Sequence, residues 1–355
     1  MRDVDAICLW QSYPRLGLDH HNQFDYYRDL PGGLPELLRI VRILQALGVR
    51  VFLTYNPWDV GTRREPRTDG DTLAWFLETT GADGIFLDTI EAADRGLLDT
   101  LRRARADVAV CPELIPPLPD LPAVSGCWQQ FTPPIPPFVL SHRWLDPGFC
   151  PRHIDRYARS HGQQVAEAFL HGTGHVVWEN VFGWWNPWSD ADRLFLKKTM
   201  AVLRAFERFF VDPDWEPYMP TGCPGVSAME WHSGDEALFT LYNGNAHRCE
   251  GIEISIPEGS PPGLADVWNG QELERSGGGR SFTCALEPGA VGCVIAGRAP
   301  RALTFPADAG ETRRHRPVTL GAYGRDLRRG PHRPPPDDAG LARHATWWQS
   351  GAAGT

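Results

Sequence analysis

Between residue 4 and about residue 210 the chain alternates short apolar runs with amphipathic segments, and this alternation constrains the fold more than any other feature. The runs VDAICLWQSY (4–13), VRVFLTY (49–55), GIFLDTI (84–90) and DVAVCPEL (107–114) have the β-branched and aromatic content of buried strands. Between them lie helical patterns. LPELLRIVRILQAL runs from Leu34 to Leu47 and is closed by Gly48; DTLAWFLETT spans Asp71–Thr80 and is closed by Gly81; a third covers 91–105. GCWQQF and FVLSHRW are read as strands, 151–170 as a helix and HVVWENVFG (175–183) as a strand. The long helix that follows opens at Ser189, with Asp192 three residues on as a near-match to a capping box. Strand–helix alternation means parallel strands with crossover helices. Seven candidate strands in about 200 residues favour a (β/α)8-like TIM barrel over an open doubly wound sheet, and no strand is followed by GxGxxG. If an upstream strand is missing, the barrel is truncated at its N-terminus.

From Asp212 the pattern changes to short alternating segments split by Gly, Pro, Asn and Asp, such as EALFTLYNGN, DVWNGQEL and AVGCVIAG. They predict an antiparallel β-sandwich domain. The expected organisation is an α/β barrel over 1–211, a β-sandwich over 212–300, and a Pro- and Arg-rich linker and disordered tail over 301–355. The abrupt start and the odd tail suggest a fragment with a disrupted C-terminus.

In a parallel barrel the active site lies at the C-terminal ends of the strands. Those ends supply Trp10, then Tyr55, Asn56, Trp58 and Asp59, then Asp88, Glu113, Gln129 and Gln130, His142 and Arg143, and Glu179 and Asn180. Three are carboxylates directly after apolar runs: Asp88, Glu113 and Glu179. Paired carboxylates suit glycosidic bond cleavage, in which one protonates the leaving oxygen and the other attacks the anomeric carbon or activates water. Glu179, inside VVWEN, is the leading candidate, because an acid in an apolar run needs compensation. Its alternative role is an ion pair with an arginine. For Asp88 the alternatives are a helix N-cap and a partner for a barrel arginine. Asp59 and Arg63 are candidates for orienting substrate hydroxyls, with His142, Asn180, Tyr55 and Asn56 completing the polar rim. The chain has fourteen Trp, and Trp10, Trp58, Trp178, Trp184 and Trp185 are candidate sugar-stacking walls.

Other chemistries fit less well. A net charge of −9 opposes non-specific nucleic-acid binding, and no apolar run approaches the ~20 residues that span a bilayer. None of the eight Cys forms CxxC; they read as buried thiols, with a Cys284–Cys293 hairpin pair left open. His20, His21 and Asp25 look metal-like, but adjacent histidines on an extended loop point apart and no metal is assigned. There is no GxSxG. No organic cofactor is expected. With no signal peptide at this N-terminus the expected compartment is cytoplasmic, or secreted or periplasmic if the start is truncated.

The segments LTYNPWDVGTRRE, GADGIFLDT and VVWENVFGWWNPWSDADR resemble the catalytic barrel of glycoside hydrolases, in particular α-galactosidase-like barrels and bacterial relatives, and the trailing segment resembles their C-terminal β-domain. The resemblance implies a carbohydrate substrate and an Asp nucleophile ending a mid-barrel strand, which Asp88 matches. The family's Lys two residues ahead is replaced by Phe86. With ICLW as the first strand, Glu113 ends the fourth and Glu179 the seventh, which resembles the other large retaining class, with its acid/base on strand four and its nucleophile on strand seven. A missing upstream strand moves Asp88 to strand four. The rival reading is a non-catalytic carbohydrate-binding protein on a degenerate barrel; a third is a metal-dependent hydrolase built on His20, His21 and Asp25.

Overall fold

A computed structural model describes residues 4–10, 20–58, 63–130, 141–156, 160–181 and 184–298. Its first half is a parallel barrel wall. Strands β1 (Ala6–Leu9), β2 (Arg50–Tyr55), β3 (Gly84–Leu87) and β4 (Ala109–Pro112) are hydrogen-bonded in that order, with Leu9 beside Leu53, Leu53 beside Ile85 and Leu87 beside Pro112. A backbone bond from Ser125 N–H to the Val110 carbonyl (2.8 Å) brings in β5 (Gly126–Gln129), which pairs parallel with β6 (Cys150–His153). A parallel bridge from His153 to His175 adds a seventh segment.

Helices follow the strands as a crossover chain requires. They are α1 (Gln23–Asp29), α2 (Gly33–Ala46), α3 (Asp69–Thr80), α4 (Arg95–Ala104), the short α5 (Ser141–Leu145) and α6 (Gly162–Leu170). A small hairpin of β7 (Asn180–Val181) and β8 (Trp184–Trp185) leads to α7 (Asp190–Ala205) and α8 (Glu207–Phe210). Ser189 caps α7 as its sequence suggests: its hydroxyl accepts from Asp192 N–H, and the Asp192 carboxylate reaches back to Ser189 N–H.

Strand periodicity sorts the side chains into two cores. One set, including Val51, Leu53, Ile85, Leu87 and Val110, packs outward against Leu37, Val41, Phe76, Leu77 and Leu101 of the helices. The alternate set fills the barrel interior: Cys8, Trp10, Phe52, Phe86, Cys111, Trp128, Ile154, Val176 and Trp178. The interior is unusually aromatic. The rings of Phe86 and Trp128 lie 4.2 Å apart, and Trp10 packs on Trp128 (5.8 Å) and Trp178 (5.5 Å). Gly84 is obligatory, since a Cβ there would collide with the Phe52 ring.

Two elements differ from the sequence reading. FVLSHRW is expected as a strand, but its described part, from Ser141, begins the helix α5, and residues 138–140 lie outside the described residues. The strand of this region is instead CPRH (Cys150–His153), which overlaps the start of the stretch expected to be helical. Four residues containing Pro, Arg and His carry no apolar alternation, so the local pattern had no strand signal to give.

The second half is antiparallel. Strands β9 (Trp215–Glu216), β10 (Val226–Ser233), β11 (Glu236–Asn243), β12 (Cys249–Ser255), β13 (Leu264–Asp266), β14 (Gln271–Glu272), β15 (Ser281–Leu286) and β16 (Val291–Ala296) form a six-stranded sheet, in the order β14-β13-β16-β11-β10-β9, and the separate pair β12–β15. One face of the sheet packs Phe239, Leu241 and Val294 on Ile252, Ile254 and Phe282 of that pair, giving a sandwich. The other face packs Trp231, Leu238 and Ile295 on Phe169, Leu170, Val202 and Phe209 of α6–α8. Because both faces are covered, β11 is buried at every position. The fully buried Thr240 hydroxyl in this strand accepts from Trp231 Nε1 (3.0 Å) and donates to the Leu170 carbonyl (2.7 Å). Arg143 staples the same junction. Its buried guanidinium donates to the carbonyls of Pro147, Phe149 and Phe210 and lies 5.4 Å from the Trp231 ring centroid; burial pushes its pKa down. Among the described residues no helix is long and apolar enough to cross a membrane.

Candidate active site

The parallel register runs one step past the printed strands. Asp88 N–H bonds to the Tyr55 carbonyl (2.8 Å) and Glu113 N–H to the Leu87 carbonyl (2.9 Å). Asn56, Asp88 and Glu113 therefore occupy one rung at the C-terminal end of the wall. Asp88 lies two residues beyond the interior Phe86 and Glu113 two beyond Cys111, so both acids face the barrel axis. Gln130, two beyond Trp128, and Arg156, two beyond Ile154, fall on the same side.

These groups are wired together. The Gln23 side chain bonds both Asn56 backbone groups (2.8 and 2.9 Å), and Asn56 Nδ2 donates to Asp88 Oδ2 at 2.7 Å. Glu113 accepts from Thr89 N–H (2.7 Å), from Gln130 Nε2 (2.6 Å) and from the Arg156 guanidinium, its ion-pair partner. Arg156 in turn lies 5.2 Å from the Trp178 ring centroid. Thr89 adopts φ 60°, a region a β-branched residue enters only under constraint; here the turn aims its N–H at Glu113. Asp88 and Glu113 are 3% and 5% exposed. Beneath the rung, the half-buried Cys8 lies near Cys111 and Asp88, and desolvation pushes its thiol pKa well up.

Glu179 lies elsewhere. It is one residue past the inward Trp178 and so has the opposite strand parity. It accepts from Arg193 Nη2 (2.7 Å) on α7 and from Trp188 N–H (3.3 Å), and Arg193 holds the carboxyl below its usual range. The arginine pair set out as its alternative role is the contact it makes.

The other expected rim residues divide. Trp58, Trp184 and Trp185 lie exposed after β2 and in the β7–β8 hairpin, and Asn180 is exposed beside them. Trp10 and Trp178 pack in the barrel interior instead, because their alternation turns them to the axis. Tyr55 points outward to Asp69 (2.8 Å), on the helix side of the wall. Arg63 is taken up by ion pairs with Asp25 and Glu65, the first of which ties the first turn of α1 to the β2–α3 loop beside a cleft lined by Gln23 and Asp69. His142 Nε2 bonds the Pro116 carbonyl (2.7 Å), holding α5 to the loop after β4. Asp59 lies outside the described residues. His21 pairs with Asp29 and Asp25 with Arg28, so the metal-like triplet does not converge, and among the described residues no group of three or more potential ligands does.

Sequence reasoning missed Gln23, Thr89 and Arg156. Arg156 was hidden by the helix expected over 151–170; the spacing of two from Ile154 is the signal that could have found it.

No protein-family model matches the chain, and no curated protein matches it. Solved structures do. They include the α-amylase of Geobacillus thermoleovorans in complex with acarbose (11% identity, 83% of this chain and 89% of that one, TM-score 0.59). An Anoxybacillus α-amylase matches at 10% identity, 76% and 80% coverage and TM-score 0.54. A Bacteroides fragilis protein provisionally assigned as an α-galactosidase/melibiase matches at 12% identity, 75% and 66% coverage and TM-score 0.52. At such identities the likeness concerns the fold alone: a parallel β/α barrel followed by an antiparallel β-domain, as in those structures.

Proposed function

We propose that the protein is a glycoside hydrolase, with Asp88 and Glu113 as its pair of carboxylates, acting in a catalytic barrel over residues 1–211. The observation that carries this is their shared rung. Neighbouring parallel strands lie ~4.8 Å apart, so two acids that end adjacent strands and face one axis suit the ~5–5.5 Å carboxyl separation of retaining hydrolysis. Arg156, Gln130 and the Thr89 N–H orient the Glu113 carboxyl, and that placement suits nucleophilic attack or stabilisation of a cationic sugar. Asp88, fixed by Asn56, is then the group that gives up and regains the proton. Exposed Trp58, Trp184 and Trp185 offer flat faces for the sugar rings. The carbohydrate ligands of the neighbouring structures support the same substrate class.

The test is hydrolysis of a panel of α-glucans and α-galactosides by the wild type, D88N, E113Q and E179Q. D88N and E113Q are each expected to lose about 10³-fold or more in turnover while still binding the sugar. E179Q is expected to lose less than tenfold. Full activity in D88N would refute the assignment.

A second reading is favoured by one observation: both Glu113 oxygens already accept hydrogen bonds within the protein, and the group is buried. In that reading the rung closes the barrel mouth, and the exposed indoles bind carbohydrate without cleaving it. Binding by the wild type with no turnover on any substrate would select it.

A further inference from the structure

The β-domain contains two cysteines that sequence spacing does not connect. Cys223 lies in the turn before β10 and Cys249 opens β12. Cys249 is buried in the sandwich core, and the half-buried Cys223 packs against that same cluster. Asn245 clamps the two segments together: its Nδ2 donates to Cys249 Sγ (3.3 Å) and to the carbonyl of Pro224, the residue after Cys223 (2.9 Å). Two backbone bonds flank the pair, Gly244 N–H to the Gly225 carbonyl (2.9 Å) and Glu253 N–H to the Thr221 carbonyl (3.2 Å). The neighbouring Cys249 thiol pushes the pKa of Cys223 up. The hairpin partners considered from sequence, Cys284 and Cys293, lie on strands of different sheets.

We propose that Cys223 and Cys249 form a disulfide on exposure to a small-molecule disulfide, a modification that staples the turn before β10 to the start of β12. Cys223, the more exposed, loses its proton and attacks one sulfur of oxidised glutathione. A mixed disulfide forms and one glutathione thiolate leaves. The Cys249 thiolate then attacks Cys223 Sγ and displaces the second glutathione. Two protein thiols are oxidised, one glutathione disulfide is reduced to two thiols, and the two protein protons end on them. Asn245 and the backbone bonds hold the two segments side by side, and both cysteines belong to one packed cluster, so closure needs little rearrangement. The bond closes a loop around β10 and β11 and removes freedom from the unfolded chain.

The experiment treats the full chain, natively folded, with oxidised glutathione at pH 8. Remaining thiols are then alkylated in denaturant, and the digest is read by mass spectrometry. The expected result is one Cys223–Cys249 linked peptide, the other cysteines alkylated, and a melting temperature raised by about 5 °C over the reduced protein. C249S should trap one glutathione on Cys223, whereas C223S should leave Cys249 unmodified because it is buried. Alkylation of both Cys223 and Cys249 after oxidation, a link from either to a different cysteine, or a C249S protein with Cys223 unmodified would each overturn the proposal.

Discussion

Glu167 is an acid buried for no chemical purpose the site requires, and replacing it by Gln makes a sharp test of the electrostatics. It lies on α6, 1% exposed, with one oxygen accepting from Gln163 Nε2 (2.9 Å) and the other without a partner. Burial raises its pKa to about 8, from an ordinary value of 4.5. Folding therefore favours the protonated acid. The group's contribution to stability is fully present below pH 4.5 and is lost as pH rises through 8. Between those limits stability falls by about 1.4 kcal/mol per pH unit, so at pH 7 the cost of carrying Glu167 is about 3 kcal/mol. The neutral amide of E167Q fits the same space, keeps the acceptor for Gln163 and has nothing to protonate. The two proteins should unfold at similar urea concentrations at pH 5, and E167Q should be more stable by about 3 kcal/mol at pH 7. Assays should stay below pH 9, because Tyr218 and Tyr242 lie close to Glu167 and titrate above that. A stability difference that does not change between pH 5 and 8 would refute the reasoning.

Three other outcomes are expected. His175 is held neutral by burial, with its pKa lowered to about 3 from 6.5, so stability should decline as pH falls from 6.5 toward 3; H175N should flatten that acid limb in urea titrations. R143A should cost about 2–4 kcal/mol in urea unfolding, because three carbonyls lose their donor, and R143K should not restore it, since an ammonium cannot span the same fork. W58A should weaken oligosaccharide binding by calorimetry while leaving the melting temperature within about 2 °C, since Trp58 is 72% exposed.

Much of this architecture is written in local pattern. The runs around Cys8, Leu53, Phe86 and Cys111 are long enough and apolar enough to mark strands, and the change of texture after Asp212 marks the antiparallel half. The site was legible only in part. Apolar runs identify where a strand ends, but which end residue faces the axis depends on parity. Parity could have been read for Glu179, because Trp178 and Glu179 are consecutive and cannot both turn inward. The same rule sends Trp10 into the interior and Tyr55 toward α3. β6 stayed hidden because Cys150–His153 is made a strand by its neighbours, through the Gln129 carbonyl and the His175 bridge, and not by its composition. With β6 unseen, Arg156 had no frame in which to matter.

The six-stranded sheet, covered on both faces, also bears on how the chain is made. Translation delivers α6, α7 and α8 first, and their Phe169, Val202 and Phe209 wait for a surface that does not exist until β16 has left the ribosome. Through that interval the nascent barrel carries an open greasy flank. A ribosome stalled between residues 211 and 290 should hold a substrate for chaperones, and a gene cut at the same place should yield two insoluble halves.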